Sequence, residues 1–527
     1  MRPLIIFLTG GTILALQLIA SRIMTPYFGV SLFIWTSILS ITLLFLALGY
    51  AAGGRLTRVW ARPRLDLAFQ LAPGLSALWL VAACWIYPAV FRPLALWHLL
   101  GGSFIACLIL LSGPLLLLSA LNPLLVALSR DAAAGDDGGS GWVFFVSTIG
   151  SLAGVLVCAF LIIPTVGNRD AVLLLAAALS LTGLLRRRGD GPLARRHWLA
   201  LAALSGVGLA SAGLLAEGRA GGVRTARDGD GNSWTVLAEA PSAFGGLKVV
   251  SIVDQGNAAP VRALLRDGLV QNAMAADGRS DALFAYALEK LALSAVPAPK
   301  RALVLGLGAG FVPMALAARG VAVDVVEIDP KVVELAGRFF GFRAGAVGVH
   351  TEDARTFVRR CAEPYDVVLV DLFNGDGMPE HLVTLEFMTD LANCLTPGGA
   401  LAANTFFATG NPLSQRLLIA TMTRVFGRVL FLPEDTEAEL SNGYLLASRT
   451  APLDRRAVGT DDVPDDLRPV FVRALRDGRV IAADDATLAG LAPLTDDANA
   501  WSRVGTDFQV AFRRHLLRQT PAEILLN

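Results

Sequence analysis

The residues best spaced for chemistry lie in the second half of the chain. In LVLGLGAGFVPMALAARGVAVDVVEIDP, residues 303–330, Gly306, Gly308 and Gly310 separate a strand-like apolar run from a helix-like one, and Glu327 ends the next apolar run. Glycines in that place let the backbone approach a ligand that side chains would exclude. A carboxylate at the distance of Glu327 can accept both hydroxyls of a ribose. Asp353 follows a third strand-like run, where it can meet the exocyclic amine of an adenine, and Asp371 ends a fourth, facing the same crevice. A carboxylate there can take a proton or orient a nucleophile. The glycine turn alone is a weak signal; four strand ends carrying these side chains form a pattern. The alternative for Glu327 and Asp353 is a helix cap or a solvated loop, and for Asp371 a cap on the following helix.

The elements that must position these groups alternate. RALVLGLG, a helix through FVPMALAARG, VAVDVVEID, a helix from Pro330, AVGVHTED, a helix from about Ala354, YDVVLVD, a helix near 380–395 and ALAANTFF follow one another. That order predicts a doubly wound α/β domain with a mainly parallel sheet over residues 291–450. Ahead of it, from about residue 232, short alternating segments punctuated by Gly, Asn and Asp read as a small antiparallel sheet. SDALFAYALEKLALSAV then has helical spacing, which closes a region of 232–290. Residues 451–527 read as a helical extension.

The first 220 residues have another character. Apolar runs long enough to cross a bilayer recur near 3–21, 32–54, 67–88, 97–128, 142–163, 170–185 and 197–216. The run at 97–128 is broken by Gly113-Pro114 and Asn122-Pro123, which fits a kinked or re-entrant helix. Gly53-Gly54, Gly150-Ser151 and Gly154 suggest close helix packing. Arg55, Arg58, Arg62 and Arg64 follow the second run, and Arg186, Arg187, Arg188, Arg195 and Arg196 the sixth. The positive-inside rule therefore puts those loops and the N-terminus in the cytoplasm. If all seven runs cross, the C-terminal half lies outside; if 197–216 packs without crossing, it lies inside.

Composition limits the rest. A chain of 527 residues that is 54% hydrophobic with a formal net charge of +1 needs at least two units of different character. No dense Lys/Arg patch with interleaved aromatics suggests a nucleic-acid partner. Cys84, Cys107, Cys158, Cys361 and Cys394 have no paired spacing, and the five histidines are dispersed, so no metal site is expected and the cysteines read as small apolar fillers.

These stretches resemble the polyamine aminopropyltransferases, the spermidine synthases, which share the class I methyltransferase fold. The resemblance covers roughly residues 232–450 through RDGLVQ (266–271), FAY (284–286), GLGAGF, VEID, EDA (352–354), YDVVLVD and TPGGALAANT. The N-terminal half is similar to the multi-pass region of fused, membrane-bound spermidine synthase-like proteins through ASRIMTPYFG, LGYAAGGRL and TIGSLAGVLVCAFLIIPTVG. LTDDANAW (494–501) is similar to their closing segment. The implied architecture is a multi-pass α-helical membrane domain, a small antiparallel β region, and a doubly wound α/β Rossmann-like domain of the methyltransferase/spermidine synthase type. The resemblance implies S-adenosylmethionine or its decarboxylated form as cofactor, no metal, an inner-membrane location and a possible homodimer. The short glycine turn suits an adenosine joined to a sulfonium better than a nicotinamide dinucleotide. By resemblance Gly306, Gly308 and Gly310 line the cofactor, Glu327 holds ribose, and Asp353 with Ala354 meets adenine. Asp371 borders the cofactor and helps to deprotonate the attacking amine, with Asp376 and Tyr286 assisting, while Gln271, Tyr286 and Asn374 border the acceptor.

The chain also departs from the family. The turn's Asp, which pairs with the amine of the decarboxylated cofactor, is Ala309 here; a polar residue and a Glu after the tyrosine are Ala287 and Leu288; and a loop acid is Asn374, with Asp376 nearby. The tyrosine-bearing late loop has no counterpart in EDTEAELSNGYLLAS. An acid-poor pocket holds a dicationic diamine poorly, because each ammonium is desolvated without a partner. The expected acceptor is therefore a small or membrane-delivered amine other than ordinary putrescine. Methyl transfer on the same fold and a nonenzymatic membrane sensor or transporter are the competing readings.

Overall fold

The computed structural model describes residues 2–30, 32–130, 139–182, 202–203, 206–213, 224–373, 377–504 and 506–526. The chain divides into two compact units, one of residues 1–224 with 240–246 and 520–527, the other of 225–239 with 247–519.

The first unit is helical: α1 (Arg2–Phe28), α2 (Leu32–Val59), α3 (Arg62–Trp97), α4 (Leu99–Ser119), α5 (Leu121–Ser129), α6 (Ser140–Val157) and α7 (Asn168–Thr182). Among the described residues five helical stretches are long and apolar enough to cross a membrane: Arg2–Phe28, Ile34–Val59, Arg62–Trp97, Leu99–Ser129 and Ser140–Thr165. Among the described residues the expected sixth run forms α7, Asn168–Thr182, and its last three residues lie outside them. Half of the seventh falls outside the described residues; its residues 202–203 and 206–213 are helical. The run at 97–128 breaks at Ala120, between α4 and α5, while α4 continues through Pro114. Helices α1 and α6 meet through small residues. A Cβ on Gly150 would lie 2.1 Å from Phe7 O and one on Gly154 2.3 Å from Gly11 O, so only glycine permits the approach. Ser151 Oγ donates to Gly10 O at 3.0 Å across the same seam.

The second unit opens with an antiparallel sheet in chain order, β1 (Thr225–Arg227), β2 (Ser233–Ala240), β3 (Leu247–Asp254), β4 (Asn257–Arg266) and β5 (Leu269–Met274). Helix α8 (Leu283–Ala295) leads to the main sheet. Its strands and helices alternate as β6 (Arg301–Leu305), α9 (Phe311–Ala318), β7 (Ala322–Val326), α10 (Pro330–Phe339), β8 (Gly348–His350), α11 (Ala354–Arg359), β9 (Tyr365–Val370), α12 (Leu385–Asn393) and β10 (Leu395–Ala408). They continue as α13 (Leu413–Phe426), β11 (Arg428–Pro433), β12 (Leu440–Ala447), α14 (Arg468–Asp477), β13 (Arg479–Ala482), α15 (Trp501–Val504) and α16 (Thr506–Gln519).

The sheet order is β13-β11-β12-β10-β9-β6-β7-β8, with β8, β7, β6, β9 and β10 parallel and β12 antiparallel to β10. This is the mainly parallel, doubly wound α/β arrangement expected from the alternation. The segment expected to be purely helical, 451–527, instead supplies the edge strand β13, paired with β11. VIA is too short a run for its period to declare a strand. A second correction concerns the cysteines: Cys361 and Cys394 form a disulfide, Cα–Cα 5.7 Å, across a separation of 33 residues. Cys84, Cys107 and Cys158 are not disulfide-bonded and are buried in the helical unit. Long-range pairing leaves no local spacing to read, so the filler reading misses the bridge.

Candidate active site

Strand β6 lies between β7 and β9, so the chain reverses its direction of growth across the sheet there, and the carboxyl ends of β6 and β9 open a crevice. Backbone hydrogen bonds extend the ladder past the strand ends. Gly306 N donates to Val326 O at 2.9 Å, Glu327 N to His350 O at 3.0 Å and Asp371 N to Leu305 O at 2.9 Å. The glycine turn, Glu327 and Asp371 thereby share one sheet edge. Gly306 has φ +92°, and a Cβ there would come 2.2 Å from Asp371 O, so the turn and the base candidate pack backbone to backbone.

Glu327 is buried, at 7% exposure. Its Oε2 accepts from Leu307 N at 3.1 Å and its Oε1 from Asp329 N at 3.0 Å. Each oxygen keeps acceptor capacity, which two ribose hydroxyls could use. Burial pushes the Glu327 carboxyl up, opposed by the Arg266 guanidinium and the two backbone donors. Arg266, at the end of β4, lies 3.9 Å from Glu327 and 3.6 Å from the fully buried Asp329. One cation from the small sheet therefore steadies two carboxylates of the main sheet. Asp353 Oδ1 caps α11, accepting from Thr356 N at 2.8 Å and Thr356 Oγ1 at 3.0 Å, while Oδ2 faces His381 Nε2 at 3.4 Å. Burial raises its carboxyl, but these hydrogen bonds outweigh it and hold it below the usual range. Ala354 is the buried first residue of that helix.

Asp371 is half-buried and accepts from Asn404 Nδ2 at 3.0 Å. Burial pushes its carboxyl up to about 6; the Asn404 bond opposes this and the charge of Glu327 adds to it. Among the described residues no backbone N–H of a following helix caps it. The turn, Glu327 and Asp371 thus share one sheet edge, with the cap Asp353 following the neighbouring strand β8, and the sequence model of one protein family matches residues 284–432 under the description spermine/spermidine synthase domain.

The chain carries a spermine/spermidine synthase domain.

A polyamine aminopropyltransferase of Vibrio vulnificus is 45% identical over 116 residues, 21% of this chain and 39% of that protein. An N-terminal histidine N-methyltransferase of Emericella nidulans is 32% identical over 181 residues, 32% of this chain and 31% of that protein. A probable spermidine synthase of Corynebacterium glutamicum has a solved structure that covers 50% of this chain and 95% of its own, with a TM-score of 0.40 and 18% identity. The chain spans less than half the length of the two curated relatives named here.

Within this spermidine synthase domain, Tyr286 sits in the first turn of α8 and donates to Ser280 O at 3.0 Å. Ser280 Oγ is 3.4 Å from Asn272 Oδ1, and Asn272 Nδ2 would lie 3.9 Å from a Cβ on Gly308, so Tyr286 reaches the glycine turn through two residues. Gln271 is the unpaired residue of a β-bulge between β4 and β5, half-buried beside Asn272. Ala309, Ala287 and Leu288 are buried. Asn374 and Asp376 lie outside the described residues. Among the described residues no group of three or more His, Cys, Asp or Glu side chains is arranged to hold a metal.

Several contributors escape sequence reasoning. Arg266 was legible only as part of RDGLVQ, and its charge gave no hint of its burial. LTDDANAW acts as a strap: Asp496 takes a bidentate pair from Arg355 at 2.8 and 2.5 Å, Asn499 Nδ2 donates to Glu380 O and Trp501 Nε1 to Met378 O, each at 2.9 Å. It thus ties α11 to the segment that follows Asp371.

Proposed function

We propose that the protein is a membrane-anchored transferase of the spermidine synthase type, which binds S-adenosylmethionine or its decarboxylated form and alkylates an amine acceptor other than ordinary putrescine. The observation that carries this reading is Asp371: a carboxylate raised to about 6 by burial, at the same strand edge as the glycine turn and Glu327. At neutral pH such a group is ionised yet basic enough to accept a proton. An ammonium has no lone pair, so the acceptor must lose a proton before it attacks. The adenosyl cofactor supplies a carbon activated by its sulfonium; Glu327 fits its ribose, Asp353 and Ala354 its base, and the turn its tail. Tyr286 and Asp376 assist at the acceptor side.

Methyl transfer is the second reading. The buried Ala309 gives the decarboxylated cofactor's amine no partner in the turn, and the Emericella relative is named a methyltransferase. Calorimetric titration of the full-length protein with both cofactor forms and methylthioadenosine tests the assignment. Preference for the decarboxylated form supports aminopropyl transfer, preference for the intact form supports methyl transfer, and binding of none overturns both.

For the soluble unit we propose the cytoplasmic face, where the cofactor is supplied. The disulfide and the Arg clusters with seven crossings pull the other way. Thiol trapping in intact cells separates the two: Cys361 and Cys394 found reduced support the cytoplasm, and a bridged pair places the unit outside.

A further inference from the structure

Asp353 uses its two oxygens unequally. Oδ1 accepts from both Thr356 N and the Thr356 hydroxyl, whereas Oδ2 meets His381 Nε2 at 3.4 Å. An ionised carboxylate accepts and does not donate, so the imidazole nitrogen is the donor of that pair. Oδ2 is therefore the oxygen with capacity left for a ligand N–H, and His381 stands beside it. His381 lies in a single 3-10 turn, Glu380–Leu382, between the loop after β9 and helix α12. One such turn has too few internal hydrogen bonds to fix its own position.

The turn is fixed from outside, through its carbonyls. Met378 O accepts from Trp501 Nε1 at 2.9 Å, Glu380 O from Asn499 Nδ2 at 2.9 Å and His381 O from Arg355 Nη1 at 3.0 Å. Trp501 and Asn499 belong to the strap of residues 494–501, and Arg355 is held by the same strap through its bidentate pair with Asp496. The strap is itself pinned to α12 and α13. Leu494 N donates to Thr421 Oγ1 at 2.9 Å, Leu385 N to Leu494 O at 2.7 Å and Asp496 N to Glu386 Oε2 at 3.0 Å. Arg355 lies two residues beyond Asp353 on α11 and is buried, so one planar guanidinium relates the strap, the His381 backbone and the helix that Asp353 caps. The strap lies beyond residues 284–432, the span matched by the family model, so this arrangement is an addition to the matched domain.

We infer that His381, held by the strap, is a positioning residue for Asp353 that sharpens the choice of an adenine base at the cofactor end of the crevice. The inference rests on the transferase reading. His381 acts through Asp353: its N–H engages one lone pair of Oδ2 and leaves the other aimed at an exocyclic amine. The Thr356 bonds at Oδ1 and the His381 bond at Oδ2 together stop the carboxylate from turning. A purine that carries a carbonyl in place of the amine brings an acceptor against the carboxylate and gains nothing from its alignment. The strap's part is indirect, since it sets where the His381 backbone lies.

The test needs no turnover. The full-length protein is titrated calorimetrically with methylthioadenosine and with methylthioinosine, its hypoxanthine counterpart. No binding of either nucleoside overturns the transferase reading itself. The native protein should prefer methylthioadenosine by about tenfold or more, the worth of one charged hydrogen bond. His381→Ala should cut that preference about fivefold by weakening methylthioadenosine alone. His381→Gln, whose amide reaches about as far as the imidazole Nε2, should restore most of it. The His381 side chain is 52% exposed, so its loss should leave the thermal melt nearly unmoved. Asp496→Asn should cut the preference about threefold in the native background and have no further effect on it in His381→Ala, because the strap acts through His381. A preference absent from the native protein, or unmoved by His381→Ala, overturns the inference. Equal losses for the two nucleosides, or effects of the two substitutions that add, overturn it as well.

Discussion

The two ends of the crevice are built in different ways. At the proposed cofactor end, consecutive strand-turn segments each deliver one group: the glycine turn after β6, Glu327 after β7, Asp353 after β8. At the proposed acceptor end, Asp371, Asn404, Tyr444 and Glu434 are linked only because β9, β10, β12 and β11 pair in one register: Asn404 Nδ2 donates to Asp371 and the Tyr444 hydroxyl to Glu434, although residues 371 and 434 are far apart in sequence. Groups placed by local spacing keep their motif when the acceptor changes. Those placed by register can be exchanged singly, since a substitution on one strand alters the wall without disturbing the turn.

The largest effect expected from breaking this contrast is at Asp371. Asp371→Asn should lower turnover by about 10²- to 10⁴-fold, the usual worth of a general base, with adenosyl-ligand affinity nearly unchanged. The pH dependence carries the same signature. Turnover should rise as pH passes through about 6, where Asp371 ionises. Stability runs in the opposite sense. The folded carboxyl titrates above its ordinary 3.8, so the fold is favoured while Asp371 is protonated and loses that advantage as pH rises from about 4 through about 6. Thermal melts of Asp371→Asn should lack this decline, and a variant that retains full turnover would remove Asp371 from the chemistry.

At the cofactor end the expected loss is smaller and falls on binding. Glu327→Gln keeps the shape and the backbone donors but removes the charge that orders ribose hydroxyls. Adenosyl-ligand affinity should fall about 10- to 100-fold, corresponding to roughly 1.5–3 kcal/mol for charged hydrogen bonds. Calorimetry measures it directly. If turnover at saturating cofactor fell as far as in Asp371→Asn, the division between the two ends would not hold.

How far the sequence could be read follows the same line. The alternation of β6 to β10 and the placing of Gly306, Glu327 and Asp371 were legible because each depends on a run of a few residues with its own period. Arg266 was not, since only the tertiary approach of β4 to Glu327 and Asp329 explains a buried guanidinium. Asn404 stood in view within ALAANTFF, but its significance lies in the alternation that sends Ala403 to the core and Asn404 to the other face. Glu434 and Tyr444 belong to a stretch that lacks the family's late loop, and only the hairpin register brings them together. The bridge between Cys361 and Cys394 and the edge strand β13 were hidden for the same reason, as pairings over long separations.

The smallest expected effect sharpens the comparison most, because Ala309 stands where the two ends meet. It is buried at 1% exposure between Gly308 and Gly310, in a turn whose neighbour Leu307 already donates its N–H to Glu327. Ala309→Asp introduces a carboxylate that is costly to bury without a cation, so the ligand-free variant should melt a few degrees lower. The decarboxylated cofactor carries a terminal ammonium that can meet this charge, whereas the intact form adds a carboxylate that repels it. The ratio of their affinities should therefore shift about tenfold toward the decarboxylated form. An unchanged ratio would mean that the cofactor's tail passes elsewhere, and that the loss of the family's acid at this position says nothing about which form the protein uses. A shifted ratio would instead mean that the native alanine lies beside the cofactor's tail and sets its preference.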